Sequence, residues 1–151
     1  MERGLPDLPE KTWTKEGTAF HSLWRNAAEI LAAPDADPAV ADTLRIAEEL
    51  DDEVMRAVLE QCPELANTTS EEHWELELWV RAGMRRIIPG HCDRLTWFPQ
   101  SKTLVIRDLK TGYLQVEEAA ANDQLRIYAV AGSQHFQADR VFVSILPTRF
   151  P

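Results

Sequence analysis

The hydrophobic pattern changes its period once along the chain, and this change constrains the fold more than any other feature. Up to Cys62 the apolar residues recur at helical spacing, whereas from Trp74 onward they alternate with polar residues. A period of 3.6 residues indicates helices with one buried face, and a period of two indicates strands. We therefore expect a helical part at about 15–62 and a sheet core at about 72–149, with residues 1–151 forming a single domain.

Two helices are predicted in the first part. The first runs over about 15–32, and the second runs from Ala39 to Cys62 with an apolar face of Leu44, Ala47, Val54, Val58 and Leu59. Asp51 and Asp52 mark a point where the second helix could be interrupted. A loop over 63–70 then leads to the sheet.

The alternating part predicts strands at 74–81, about 84–91, 94–98 and 102–109, with a turn at 99–101. In the first strand one face is expected to consist of Trp74, Leu76, Leu78 and Val80, and the other of Glu75, Glu77, Trp79 and Arg81. A helix over about 119–132 and a buried strand over 141–146 complete the chain. This order predicts an α/β domain with a central mixed β-sheet flanked by helices, preceded by an N-terminal helical insert.

Charge and composition exclude some classes of protein. The net charge of −9 argues against an indiscriminate polyanion binder, although arginines and lysines crowd the predicted strands while acids concentrate in 35–77. No segment is apolar enough to cross a membrane, and the N-terminus does not resemble a signal peptide. Cys62 and Cys92 are expected to be reduced thiols, which favours a cytoplasmic location.

The strongest functional pattern is Asp108-Leu109-Lys110, which ends the apolar run 103–106. Alternate residues of a strand face the same side, so the carboxylate and the ammonium should point to one place. Such a pair can hold a divalent cation and stabilise a negatively charged reacting group. The pattern alone could equally be a solvated ion pair.

Four stretches occur in the order in which the PD-(D/E)XK nuclease superfamily carries its motifs, namely 16–21, 90–93, 106–112 and 122–129. Over about 15–149 the sequence resembles the RecB-like branch of this superfamily, including phage-encoded nuclease domains and CRISPR-associated adaptation exonucleases. The resemblance implies a restriction-endonuclease-like core with the element order αβββαβ. It also implies metal-dependent hydrolysis of DNA.

The resemblance assigns roles to the residues of the motifs. Asp93 and Asp108 would be carboxylate ligands of Mg²⁺ or Mn²⁺, joined by the backbone carbonyl of Leu109 and the imidazole of His21. Lys110 would orient the attacking water or neutralise charge that develops on the phosphate. Asp93, Asp108 and Lys110 would thus be the catalytic residues.

Further residues are expected to support the site. Gly17 lies one helical turn before His21, and Gln124 lies one turn before Tyr128 in the branch's Gln-x-x-x-Tyr signature. Glu77 could lean towards the metal, and His91 could add a ligand or contact the substrate.

Each of these residues also has an ordinary structural explanation. His21 could be a helix histidine, Asp93 a turn residue, and Gln124 and Tyr128 parts of a helix surface. Trp97 and Phe98 could stack on unpaired bases, but packing in the core or at an edge is the favoured expectation. The ordered set of motifs favours the joint functional interpretation.

The sequence therefore predicts a Mg²⁺- or Mn²⁺-dependent deoxyribonuclease that acts on DNA strand ends in phage or repair-type processing. Two cysteines cannot hold the four-cysteine iron–sulfur cluster found in some relatives, so no cluster is expected. The acidic helix 39–62 would repel DNA and is expected to face away from it or to contact a protein partner. Two alternatives are a catalytically idle nuclease fold that binds nucleic acid or protein, and a hydrolase of another phosphodiester.

Overall fold

The computed structural model describes residues 23–82, 86–110 and 123–148. Its helices are α1 (Ala27–Ala32), α2 (Pro38–Gln61), a short 3₁₀ helix (Pro63–Asn67) and α3 (Asp123–Phe136). Its strands are β1 (Glu71–Ala82), β2 (Arg86–Phe98), β3 (Thr103–Lys110) and β4 (Arg140–Pro147). The predicted order of helices, a group of strands, a helix and a final strand is confirmed, and the described strands before α3 number three, as in the order αβββαβ that the resemblance implies.

The four strands form one mixed sheet in the order β1-β2-β3-β4. The first three strands are antiparallel neighbours, whereas β3 and β4 are parallel, with α3 between them in the chain. Parallel neighbours need a crossover connection, and a helix commonly supplies it. The α/β architecture with a central mixed sheet is confirmed.

The sheet is covered on both faces, as β3 shows most clearly. Leu104 and Ile106 pack with α3, while Val105 and Leu109 pack on the side of α1 and α2. Seven of the eight residues of β3 are buried, as expected for an interior strand covered by helices on both faces. The strand that ends in the candidate site is therefore fixed from both sides.

Helix α2 begins at a well-formed cap and continues without interruption. The side chain of Asp37 accepts hydrogen bonds from the backbone N–H groups of Ala39 and Val40, and Pro38 occupies the first turn. The break considered at Asp51 and Asp52 does not occur. Asp51 instead lies on the apolar face of the helix and is buried.

The face assignment predicted for β1 is wrong at one residue. Trp74 packs into the cluster formed with α1 and α2, whereas Leu76 and Leu78 pack into the cluster on α3. Glu75, which lies between them, has a left-handed backbone with φ of 51°. Such a φ is uncommon for a residue with a Cβ, and it interrupts the strict alternation of side chains along a strand.

The two strands predicted at about 84–91 and 94–98 are one strand, β2. It pairs with β1 over most of its length, but it pairs with β3 only from Arg94 to Phe98. The first half of β2 therefore extends past its ladder with β3. Its pairing with β1 keeps this half in extended conformation.

Several predictions fall outside the described residues. These include the first part of the N-terminal helix, with Gly17 and His21, and the segment 111–122. Cys62 and Cys92 are free and buried, in agreement with the expected reduced thiols. Within the three described ranges, no helix is both long and apolar enough to span a membrane.

Candidate active site

The candidate site lies where β2 and β3 separate. The last pair in their antiparallel ladder is Arg94 opposite Arg107, so one residue further in this register Asp93 faces Asp108. The ladder between β1 and β2 also omits the pair of Glu75 and Asp93. Asp93 is thus placed where the regular pairing of β2 is interrupted towards both neighbours.

The side chain of Asp93 replaces a missing backbone acceptor. Its Oδ2 accepts a hydrogen bond of 2.7 Å from the backbone N–H of Leu109. A buried N–H without a partner would be costly, and a charge-assisted hydrogen bond satisfies it. The carboxylate of β2 is therefore held directly against the strand that carries Asp108 and Lys110.

Asp108 is buried and incompletely satisfied. Only 4% of the residue is exposed, and its Oδ2 receives no hydrogen bond of acceptable geometry. The Nζ of Lys110 lies 2.7 Å from the same oxygen, so the two groups attract each other as an ion pair although their orientation is poor for a hydrogen bond. Coulomb attraction depends on distance rather than direction, so the ion pair holds Lys110 at Asp108 while the oxygen keeps acceptor capacity for a further partner.

Burial and neighbouring negative charge raise the pKa of two groups at the site, the Asp93 carboxyl and the Cys92 thiol. Burial, the negative charge of Asp108 and a hydrogen bond between the two carboxyl groups raise the pKa of Asp93 to about 8, against the opposing effects of the Leu109 N–H and the Lys110 ammonium. Burial, reinforced by both aspartates, raises the pKa of the neighbouring Cys92 thiol to about 12. Two carboxyl groups this close cannot both ionise easily unless a cation joins them.

A hydrogen-bonded chain connects the strand to α3. The Nζ of Lys110 donates to Oε1 of Gln124 at 3.3 Å, and Nε2 of Gln124 donates to the hydroxyl of Tyr128 at 2.8 Å. Burial raises the pKa of Tyr128, and so do the nearby negative charges. The structure therefore brings together five residues singled out in the sequence, namely Asp93, Asp108, Lys110, Gln124 and Tyr128.

The donor set of this site suits a hard divalent cation. Two facing carboxylates, one with an oxygen that lacks a hydrogen bond and one with a raised pKa, would both be relieved by a bound Mg²⁺ or Mn²⁺. Among the described residues, no group of three or more His, Cys, Asp or Glu side chains forms a complete metal site. Further ligands would have to come from backbone oxygens, water, or residues outside the described ranges such as His21.

Comparison with known families agrees with this geometry. The family model of the PD-(D/E)XK nuclease superfamily matches residues 2–147, nearly the whole chain. The chain belongs to the PD-(D/E)XK nuclease superfamily. No curated protein sequence matches it.

Membership of the PD-(D/E)XK superfamily supports nuclease activity on DNA. It also fits the chemistry of the site, since PD-(D/E)XK nucleases typically use divalent metal ions. The sequence analysis predicts that the two acids and the lysine in the superfamily's name are Asp93, Asp108 and Lys110, and these three residues lie together at the candidate site.

The other candidate residues are not part of this hydrogen-bonded group. Glu77 and His91 are partners in the ladder between β1 and β2, with their side chains exposed and 3.8 Å apart, and they do not form a three-residue cluster with the aspartates. Trp97 and Phe98 are buried, and Trp97 packs on Phe136. Both rings belong to the core, which confirms the packing that the sequence analysis favoured over stacking on bases.

The sequence analysis missed a buried charged cluster beside the aspartates. Asp51 of α2 binds both Arg94 of β2 and Arg107 of β3. A signal was present, because Asp51 falls four residues after Ala47 and three before Val54, on the apolar stripe of α2. An acid in such a stripe indicates a buried partner of opposite charge.

Proposed function

We propose that the chain is a Mg²⁺- or Mn²⁺-dependent deoxyribonuclease that degrades DNA from strand ends. The observation that carries this proposal is the convergence of Asp93, Asp108 and Lys110 at the separation of β2 and β3. Facing carboxylates with an adjacent ammonium are the groups that metal-assisted phosphodiester hydrolysis requires. Membership of a nuclease superfamily supports the nuclease part of this proposal.

The proposal gives each of these residues a separate role in metal binding. Asp93 and Asp108 would hold the cation, which when bound lowers the pKa of water and stabilises the leaving oxygen. The Leu109 carbonyl is a third ligand in this proposal, since its N–H points at Asp93 and the two backbone groups of one strand residue point to the same side. His21 is proposed as the fourth ligand, with Gly17 allowing close approach to it.

Lys110 would orient the attacking water or neutralise charge on the phosphate. Its contacts with Asp108 at 2.7 Å and Gln124 at 3.3 Å hold the ammonium between the acids and α3. Tyr128 in turn holds Gln124, so α3 positions the lysine rather than the metal. This use of Gln124 and Tyr128 supports the assignment to the RecB-like branch, and that assignment is our reason for favouring attack at strand ends.

The first experiment tests for metal-dependent cleavage. Purified protein should degrade linear duplex DNA with Mn²⁺ or Mg²⁺, and a chelator should stop the reaction. Asp108→Ala and Lys110→Ala should each reduce cleavage by at least about 10²-fold, while Asp123→Ala, at an exposed position of α3, should cleave like wild type. Undiminished cleavage by both site variants would refute the site. Binding of DNA without any cleavage would favour an idle nuclease fold.

The second experiment tests the mode of attack. Linear DNA and covalently closed circular DNA of the same sequence are digested side by side with each metal. An enzyme that needs strand ends should consume the linear form and leave the circle intact. Equal digestion of both forms would show internal cutting and overturn the assignment to strand ends.

A further inference from the structure

A buried carboxylate joins the two strands of the site at the last pair before they separate. Asp51 of α2 lies behind the sheet and only 4% of it is exposed. Its Oδ2 accepts from Nη1 of Arg94 at 2.8 Å, and its Oδ1 accepts from Nε of Arg107 at 2.7 Å. We call this three-residue contact the Asp51 bridge.

The two arginines of the Asp51 bridge stand directly opposite each other in the ladder between β2 and β3. Like charges at facing positions repel each other, so without compensation this pair would push the strands apart. Each arginine also directly adjoins one acid of the site, since Arg94 follows Asp93 and Arg107 precedes Asp108. A change in the distance between the arginines therefore also changes the distance between the two neighbouring aspartates, because only one peptide bond separates each arginine from its aspartate.

The surroundings hold the Asp51 bridge rigidly. Glu72 of β1 accepts from Nε of Arg94 at 2.9 Å and lies 3.5 Å from Nη2 of Arg107, so two acids neutralise two arginines. Arg107, which is fully buried, also donates to Thr96 at 2.6 Å. Asp51, Thr96 and Arg107 are buried, and a buried polar network whose groups are paired has one well-defined geometry.

Aromatic rings fix the outer side of Arg94. Its guanidinium lies 4.4 Å from the ring centre of Trp74 and 5.5 Å from that of Trp24, within the range of cation–π attraction. Trp74 is the last residue before Glu75, where the backbone turns left-handed. Regular pairing of β2 is thus held up to Arg94, and it is interrupted at the preceding residue, Asp93.

We propose that Asp51 is a positioning residue that sets the separation of the Asp93 and Asp108 carboxylates and thereby the affinity for the metal ion. Asp51 faces the opposite side of the sheet from Asp108 and binds the arginines rather than the cation. The inference rests on the proposed function, because it assumes that the two aspartates bind a divalent cation. It predicts that affinity depends on a side chain of the helical insert.

The test measures Mn²⁺ binding to the full chain by isothermal titration calorimetry, with DNA absent. Asp51→Asn keeps the shape of the side chain and removes its charge, and it should weaken Mn²⁺ binding by about ten-fold or more, the usual effect of losing a residue that orients metal ligands. Cleavage by this variant should recover when Mn²⁺ is raised to saturation, because the reacting groups themselves are unchanged.

Val58→Ala is the matched control for stability. Val58 is buried in the same helix but belongs to another cluster, with Cys62 and Phe98, so its truncation loosens the packing of α2 without touching the arginines. Mn²⁺ affinity of this variant should equal that of wild type. If Val58→Ala weakens binding as much as Asp51→Asn, general stability accounts for the effect and the positioning role is overturned.

Arg94→Lys provides a second variant should Asp51→Asn fail to fold. It keeps the positive charge at a partly exposed position and loses the fork that joins Asp51 and Glu72, so Mn²⁺ binding should again weaken. Affinity equal to wild type in the folded variant overturns the inference alone. Absence of Mn²⁺ binding in the wild-type protein would instead overturn the proposed function, and the inference with it.

Discussion

Replacing Asp93 with asparagine should stabilise the metal-free protein while abolishing its cation binding. In the folded chain the pKa of Asp93 is raised to about 8 from an ordinary 3.8. At neutral pH the unfolded chain carries this group ionised, so folding must either bind a proton or bury a charge. Asparagine is neutral in both states, and its amide can still accept from the Leu109 N–H and donate to Asp108.

The magnitude follows from the two pKa values. Neutral pH lies about three units above the ordinary pKa, and each unit corresponds to about 1.36 kcal/mol, which gives an upper bound of roughly 4 kcal/mol. Asp93 is partly exposed, and screening and local relaxation reduce the penalty. We expect a gain of about 2 kcal/mol near pH 7 for Asp93→Asn, or roughly 4–8 °C in melting temperature for a chain of this size.

The pH dependence has a definite sign. Because the folded pKa of Asp93 lies above the unfolded one, its protonation stabilises wild type fully below about pH 4, and this contribution is lost as pH rises to about 8. The gap between Asp93→Asn and wild type should therefore be near zero at about pH 4, widen with pH, and level off above about pH 8. Urea unfolding at several pH values, without metal, measures it.

Added Mn²⁺ should reduce or reverse this gap, because a ligand stabilises the form that binds it. Asp123→Asn, whose side chain is 91% exposed, is the control and should match wild type at every pH. The reasoning fails if Asp93→Asn is no more stable than wild type at about pH 8. It also fails if the difference in stability between the variant and wild type at about pH 5 equals the difference at about pH 8.

Three further predictions concern other residues and the proton balance. Mn²⁺ binding near pH 7 should release close to one proton, mainly from Asp93, because the raised pKa keeps this group protonated in the metal-free protein. Calorimetry in buffers of different ionisation enthalpy measures the number of protons released, and Mn²⁺ binding without proton release would contradict the raised pKa. Gly132→Ala should destabilise the protein by about 1 kcal/mol despite better helix propensity, because the new Cβ would lie 2.6 Å from Cδ2 of Leu104; urea unfolding checks this, and additional replacement of Leu104 by valine should recover part of the loss. Gln137→Gly should raise stability by about 1 kcal/mol in the same assay. Gln137 directly follows α3 with φ of 56°, a left-handed conformation that glycine adopts without steric cost. An unchanged midpoint would show that contacts of the glutamine side chain compensate for the backbone.

The sequence predicted the fold because hydrophobic period reports burial directly. It failed at Glu75, since the left-handed residue that moves Trp74 and Leu76 to different faces leaves no trace in composition. It also divided β2 near Asp93. That residue is where β2 loses its regular pairing, so the irregularity was correctly located but wrongly taken for the end of a strand.

The candidate site was predicted in part, because some of its residues lie close together in the sequence and others do not. Asp93, Asp108 and Lys110 were found because short motifs carry them, and Gln124 and Tyr128 because they lie one helical turn apart. The contact of Asp51 with two arginines joins three elements that are distant in the sequence. Only the tertiary structure brings these charges together, although the position of Asp51 on an apolar stripe indicated a buried partner.

The hydrogen bond from the Leu109 amide makes position 93 suit aspartate better than glutamate, although both side chains offer a metal ion the same carboxylate. A glutamate at 93 would carry the same charge on a side chain one methylene longer, and its oxygen would overshoot the amide on the neighbouring strand. Asp108 has an oxygen without a hydrogen bond, so its place is less tightly specified. The name PD-(D/E)XK writes aspartate alone at the first acid and either acid at the second; if Asp93 and Asp108 are these acids, as we propose, strand geometry supplies a reason for the difference in this chain.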